Sequence, residues 1–217
     1  GEVVDSNGLM LTAAVRALDC IPWRVGCVRD DARTFLSTIE SQLPRADVVI
    51  TTGGVSMGAY DTVKEVLSGV GTMRFDKVAM APGMPQGFGV LGEDQVPVFT
   101  LPGNPVSALV SFEVFVAPAL RLMAGRPQRE TSLVTAVAAD DWTAPAGKVQ
   151  FARVLLSRNG SRHLPEYTVA IAGLQGSHAL GSLARANALA VIPAHVTSVR
   201  AGDQVLCHPL GPIAEAS

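Results

Sequence analysis

The sequence predicts an α/β domain followed by a small all-β domain. Two observations carry that expectation. Over the first 125 residues helical and strand periodicities alternate, the pattern of a mainly parallel sheet covered on both faces in an α/β/α sandwich. After Gly125-Arg126-Pro127 the texture changes to short strand-like runs punctuated by Gly and Pro, as in a small barrel or sandwich. The expected division is therefore residues 1–125 and 126–217. Charge shifts across it as well, with 9 basic and 13 acidic groups before Arg126 and 8 and 6 from there on.

Within the first part, Asp5-Ser6-Asn7 offers capping side chains, and Leu9, Leu11, Ala14, Val15 and Leu18 then recur at helical spacing. Ile21 to Val28 reads as a strand. Asp30 and Asp31 place acids at the start of a second helix, whose apolar stripe is Phe35, Leu36 and Ile39. Asp47 to Thr52 is a short buried-type strand ending in Gly53-Gly54. Thr62 and Glu65 are spaced as a capping box for a third helix. Further strands are expected at 73–80, 88–91 and 98–101, and a long apolar helix at 105–123. The chain enters a helix almost at once, whereas doubly wound domains begin with a strand, so that first strand is expected upstream of Gly1.

In the second part, residues 132–139, 148–157, 162–172, 188–192 and 204–208 read as strands, with Asn159-Gly160 as a hairpin turn. No amphipathic helix is expected beyond residue 130.

Composition excludes several classes. The 217 residues are 48% hydrophobic and 17% charged with a net charge of −2, and no basic run suggests a nucleic-acid surface. Apolar stretches are interrupted before the ~18 residues a membrane span needs. Three cysteines without a CxxC pair argue against a disulfide framework or structural zinc and fit a reducing cytoplasm, with all three thiols packed in the interior.

Three segments carry chemistry. In Thr51-Thr-Gly-Gly-Val-Ser-Met-Gly-Ala-Tyr-Asp61 a strand runs into Gly53-Gly54, where backbone N–H groups approach a ligand closely. Ser56 adds a hydroxyl and Asp61 stands at a helix start. The segment suits a phosphate at the carboxyl end of a strand, or equally a tight turn with Asp61 as an ordinary N-cap. Leu101-Pro102-Gly103-Asn104-Pro105-Val-Ser107 is a second strand-turn-helix junction. It reads either as an anion site using amides and the Ser107 hydroxyl, or as a proline-stiffened helix start. Lys77 is a lone cation in an apolar strand, solvated or touching a phosphate, and Pro82-Gly-Met-Pro85 suits a pocket wall. Carboxylates at strand ends and helix starts, Asp5, Asp30, Asp31 and Asp61, are magnesium candidates if they converge, and caps if they do not.

Taken together, Asp5-Ser-Asn7, Arg29-Asp-Asp31, the Asp47–Gly58 run, Asp61, Lys64, Lys77, Pro82-Gly83, Phe88-Gly89 and Leu101–Ser107 resemble the molybdopterin molybdenumtransferase family, which includes the gephyrin E domain. Gln175-Gly-Ser-His178 and Ser182–Leu189 resemble its C-terminal β domain. The resemblance implies that adenylylated molybdopterin binds, that its adenylyl group is hydrolysed with a divalent cation, Mg2+, and that molybdate is the second substrate, inserted at the dithiolene. It implies Asp30 and Asp61 as acidic, metal-binding site residues. Lys77 would contact the pterin or its phosphate, Pro102 and Pro105 would shape the pocket, and Arg153 and Ser177 would line the neighbouring cleft. It also implies two further N-terminal domains and a homodimer with a shared site. Where family members often carry lysine this chain has Ala81 and Met84, which implies weaker anion binding or compensation by other groups such as Arg74. The alternatives are an adenylyltransferase-like nucleotide-binding domain and a non-catalytic interaction module.

Overall fold

The structure, a computed structural model, describes residues 5–28, 31–54, 62–126, 133–160, 163 and 165–215. Helices are α1 Ser6–Arg16, α2 Ala32–Gln42, α3 Thr62–Ser68, α4 Pro105–Ser111, α5 Ala117–Met123 and α6 Leu180–Arg185. Strands β1 to β5 are Val49–Thr52, Arg74–Lys77, Met80–Ala81, Pro85–Leu91 and Val96–Leu101. Strands β6 to β10 are Val134–Ala138, Trp142–Thr143, Val149–Arg158, Tyr167–Ile171 and Ala188–Ile192, followed by β11 Ser198–Val199, β12 Gln204–Pro209 and β13 Ala214–Glu215. The chain forms two compact units, Gly1–Val78 with Gly83–Arg126, and Ala79–Pro82 with Pro127–Ser217.

In the first unit α1 starts where Asp5 Oδ1 accepts from the Gly8 amide at 2.8 Å, satisfying one of the unpaired N–H groups of the first turn. Leu11 and Val15 are buried, whereas Leu9 is 60% exposed, so the apolar stripe is narrower than its spacing suggests. Asp31 caps α2 in the same way through the Thr34 amide. A π turn, Phe112–Val116, joins α4 to α5, so the long apolar helix is one run with a wide turn inside it.

The sheet order is β1-β5-β4-β2. Only the β1–β5 pairing is parallel; β4–β5 and β2–β4 are antiparallel. The sheet is thus mixed, which corrects the expectation of a mainly parallel one. The reason is the length of the connections. Four turn residues, Gly92 to Gln95, join β4 to β5, too few for the crossover that parallel neighbours require. Along β5 the side chains alternate: Phe99 and Leu101 join a cluster with Leu11, Val15, Phe112 and Val116, while Val98 joins Phe35, Ile39, Leu67 and Leu91.

Residues 21–28 form no strand. Their alternating apolar pattern is real, but a strand needs a ladder partner, and these residues pair with none among the described residues. Ile21 and Trp23 are 95% and 75% exposed, and Arg45 lies 5.5 Å from the Trp23 ring centroid. Cys27 is exposed as well; of the three free thiols only Cys207 is buried, correcting the view that all three pack inside.

The second unit holds a five-stranded barrel, β8-β10-β12-β6-β9, closed by the β8–β9 pairing. Its interior is lined by small residues, Ala136, Ala138, Ala152, Ala188 and Ala190, with Val154, Leu156, Val169 and Ile192, as a narrow barrel demands. β3 and β13 both add to β8 as parallel partners. The link from β8 to β9 runs over residues 159–166, longer than a two-residue hairpin turn. α6 corrects the expectation of no helix beyond residue 130; six residues are too few to display a helical period.

Candidate functional sites

Strand register assembles the first unit's site. Thr52 lies beside Leu101, Thr100 beside Gly87, and Pro85 beside Lys77. Gly53, Pro102, Pro85 and Lys77 therefore share one end of the sheet, the carboxyl end of β1, β5 and β2. At a strand spacing of about 4.8 Å, β2 lies roughly 10 Å from β5 and 14 Å from β1. Lys77 is exposed on that rim.

The two bends at this rim hold each other. The Gly53 amide donates to the Leu101 carbonyl at 3.0 Å. A Cβ on Gly103 would lie 3.3 Å from Gly53 Cα, so a side chain there would press on the Gly53 backbone. Asn7 Nδ2 donates to the Gly103 carbonyl at 2.7 Å, which ties the first turn of α1 to the same bend. Gly53 and Gly54 adopt φ of 88° and 66°, and a Cβ on Gly54 would overlap Val63 Cγ2 at the start of α3. Pro102 is buried, Gly103 and Asn104 are exposed, and Pro105 occupies the first turn of α4, where its missing N–H costs nothing.

The starts of α1, α3 and α4 thus meet two glycine bends at one rim. Helix starts beside strand ends are a common setting for an anion. Ser107, the third residue of α4, is 5% exposed. Asp30, Ser56 and Asp61 lie outside the described residues. Asn7 is the residue that sequence reasoning undervalued: it read as a cap beside Asp5, and its bond to residue 103 spans a separation no local pattern reveals.

Among the described residues no three of His, Cys, Asp and Glu cluster to hold a metal. Asp5 is committed to the Gly8 amide and to Arg24 at 2.6 Å, which together hold its carboxyl below the usual carboxylate range. Asp31 is committed to its cap. Arg74 pairs with Asp76 at 3.2 Å and sits beside Phe88, three residues below the rim.

The second unit carries its own site around Arg153. This residue is 1% exposed, and its guanidinium donates from Nε to Ser182 Oγ at 3.0 Å and from Nη2 to the Leu174 and Gly176 carbonyls at 2.9 and 3.2 Å. Among the described residues no carboxylate lies within ion-pair range. Burial lowers the guanidinium's pKa, yet arginine stays charged, leaving a buried cation held by neutral dipoles. It lines a cavity of about 250 Å³ with Ala81, Pro82, Pro145, Gln150, Phe151 and Gln175. Among the described residues Arg153 is the only charged one in that lining. Gln175 braces it, accepting from the Arg153 amide at 2.8 Å and donating to the Arg153 carbonyl at 3.0 Å. Ser177 follows Gly176 in the chain and is half-buried. Gln175 and Ser182 stand in the motifs that resemble the C-terminal β domain, but the sequence reading gave neither a role in a site.

Residues 1–122 match the family described as a probable molybdopterin binding domain, and residues 135–210 match the MoeA C-terminal region, domain IV. The chain is 42% identical over 211 residues to molybdopterin molybdenumtransferase 2 of Mycobacterium tuberculosis, covering 94% of this chain and 50% of that protein. It is 34% identical to the molybdopterin molybdenumtransferase of a Nostoc species, covering 95% of this chain and 47% of that one. A solved molybdopterin biosynthesis MoeA protein from Pyrococcus horikoshii superposes with a TM-score of 0.80 at 27% identity, covering 97% of this chain and 49% of the other. The chain thus spans about half the length of the relatives it matches. With glycine bends meeting at the carboxyl ends of β1 and β5, and a barrel bearing a buried arginine, the chain belongs to the molybdopterin-binding domain family, joined to a C-terminal region of the MoeA type.

Proposed function

We propose that this chain forms the ligand-binding portion of a molybdopterin molybdenumtransferase acting in molybdenum cofactor biosynthesis. In this reading residues 1–125 bind adenylylated molybdopterin and residues 126–217 supply the β domain. The observation that supports it is the mutual fixing of Gly53, Gly103 and Asn7 at one rim, beside the start of α4, a setting that suits an anionic nucleotide. Gly53, Gly54, Ser56, Gly103 and Asn104 grip the phosphates, Lys77 adds a point charge, and Pro102 and Pro105 keep the bend rigid.

Asp30 and Asp61 are the proposed acidic groups for Mg2+, which would neutralise phosphate charge and favour release of AMP. Because Asp5 and Asp31 are committed to caps and an ion pair, the direct grip on the phosphates falls to amides and Lys77. Molybdate is the proposed second substrate. Arg153 suits it: a buried cation without a carboxylate partner is stabilised by an oxyanion in its cavity. Ser177, beside that cavity's Gly176 contact, is the proposed second ligand. A homodimer with a shared site, and a cytoplasmic location, complete the proposal.

Calorimetric titration of the chain with AMP and magnesium tests the rim. Asp61→Asn and Gly54→Ala should both weaken binding, Asp61→Asn by roughly 10-fold or more, since a charge-assisted contact is lost. If both variants bind as the unaltered chain does, the rim is not the nucleotide site.

A further inference from the structure

The cavity in the barrel unit depends on how one side chain is held. The guanidinium of Arg153 has three nitrogens. Nη2 is committed to the Leu174 and Gly176 carbonyls, and Nε to the hydroxyl of Ser182. Among the described residues Nη1 makes no hydrogen bond, so its two N–H groups remain for whatever occupies the cavity. A planar fork with two of its corners pinned has one orientation, and the third corner is then set by geometry.

Ser182 is the one side chain that does the pinning among the described residues. It is 3% exposed. Its Oγ donates to the Ala179 carbonyl at 2.7 Å, which points its hydrogen away from Arg153 and leaves a lone pair toward Nε. The hydroxyl therefore acts as an oriented acceptor. Leu174 and Gly176 belong to an exposed loop, where water can replace a lost carbonyl contact; the Ser182 contact is buried and has no such substitute.

We infer that Ser182 is a positioning residue, which fixes the roll of the Arg153 guanidinium so that Nη1 faces the cavity and receives a small tetrahedral oxyanion. This rests on the proposed reading of Arg153 as the oxyanion's cation. Without the hydroxyl, Nε turns to find another acceptor, and the fork no longer meets the ligand in one orientation. The charge stays; its direction is lost. Affinity falls for that reason, without any change in net charge or in a group touching the ligand.

The test is a calorimetric titration of the full chain with sodium molybdate, run beside thermal unfolding, for the unaltered protein, Ser182→Ala, Ser182→Thr and Arg153→Met. Removal of one hydrogen bond to a charged group should weaken molybdate by about 10-fold in Ser182→Ala. Ser182→Thr keeps the hydroxyl and should stay within about threefold of the unaltered protein. Arg153→Met should bind no molybdate. If Ser182→Ala lowers the melting temperature yet binds molybdate normally, Ser182 is a fold residue and the inference is overturned. The same follows if the threonine variant binds as weakly as the alanine one. If Arg153→Met binds like the unaltered protein, the reading of the cavity itself fails, and with it the role of Ser182.

Discussion

Asn7 Nδ2 lies 2.7 Å from the carbonyl oxygen of Gly103, so the first helix and the bend after β5 are joined by a bond across 96 residues of sequence. Asn7 is 8% exposed and its Oδ1 has no hydrogen-bond partner among the described residues. The Nδ2 bond is thus the side chain's anchor. Replacing Asn7 by Ala removes the donor and leaves the Gly103 carbonyl to the solvent. Urea denaturation should register a loss of about 1–2 kcal/mol, with nucleotide affinity falling as well. An Asn7→Ala variant as stable as the unaltered chain would mean that the bond contributes nothing.

Gly53 and Gly54 differ in what a side chain would meet. A Cβ on Gly53 enters open space, whereas one on Gly54 overlaps Val63. Both have positive φ, so both alanine substitutions cost about 1 kcal/mol in backbone strain. Only Gly54→Ala adds a clash, and it should cost at least another 1 kcal/mol or so. Equal melting temperatures for the two variants would contradict this.

Gln175 clamps the main chain of Arg153 through both ends of its amide. Just beyond the end of β9 the Ala172 amide also donates to the Arg153 carbonyl, at 3.0 Å. Gln175→Leu should therefore cost about 2 kcal/mol, two neutral hydrogen bonds' worth, measured by chemical denaturation. The loss should be local to the barrel unit, with hydrogen exchange rising at the Arg153 amide.

Asp5 supplies a pH test. Its folded pKa is depressed, chiefly by the Gly8 amide and further by Arg24. The sign follows: its stabilising contribution is complete above the ordinary value of 3.8 and is lost as pH falls through the lower folded value. At neutral pH, Asp5→Ala should be less stable by about 1 kcal/mol. Below pH 3.8 the gap should narrow. A gap that stays constant from neutrality down to strongly acid pH would rule out the charge as its source.

Much of the architecture was legible in the sequence because it depends on local patterns. The caps at Asp5 and Asp31, the β1 run into Gly53-Gly54, the strand at 188–192 and the turn residues at 102–105 are each fixed by neighbours within a few positions. Sequence also located the bends that the rim is made from. It failed where partners are remote. Residues 21–28 have a strand's alternation yet pair with nothing described, and β4 lies antiparallel to β5 because a four-residue turn leaves no alternative.

Composition and pattern by themselves determined most of the helices and strands, where the glycines bend, and which groups carry charge. Tertiary structure decided who meets whom. It joined Asn7 to Gly103, buried Ser107, left Lys77 on the rim two strands from β5, and gave Arg153 a serine and two carbonyls in place of a carboxylate. Local conformation answers to backbone sterics and nearby hydrogen bonds. Contacts such as these are set by sheet register and by the burial of side chains far apart in the chain, which no local window of sequence contains.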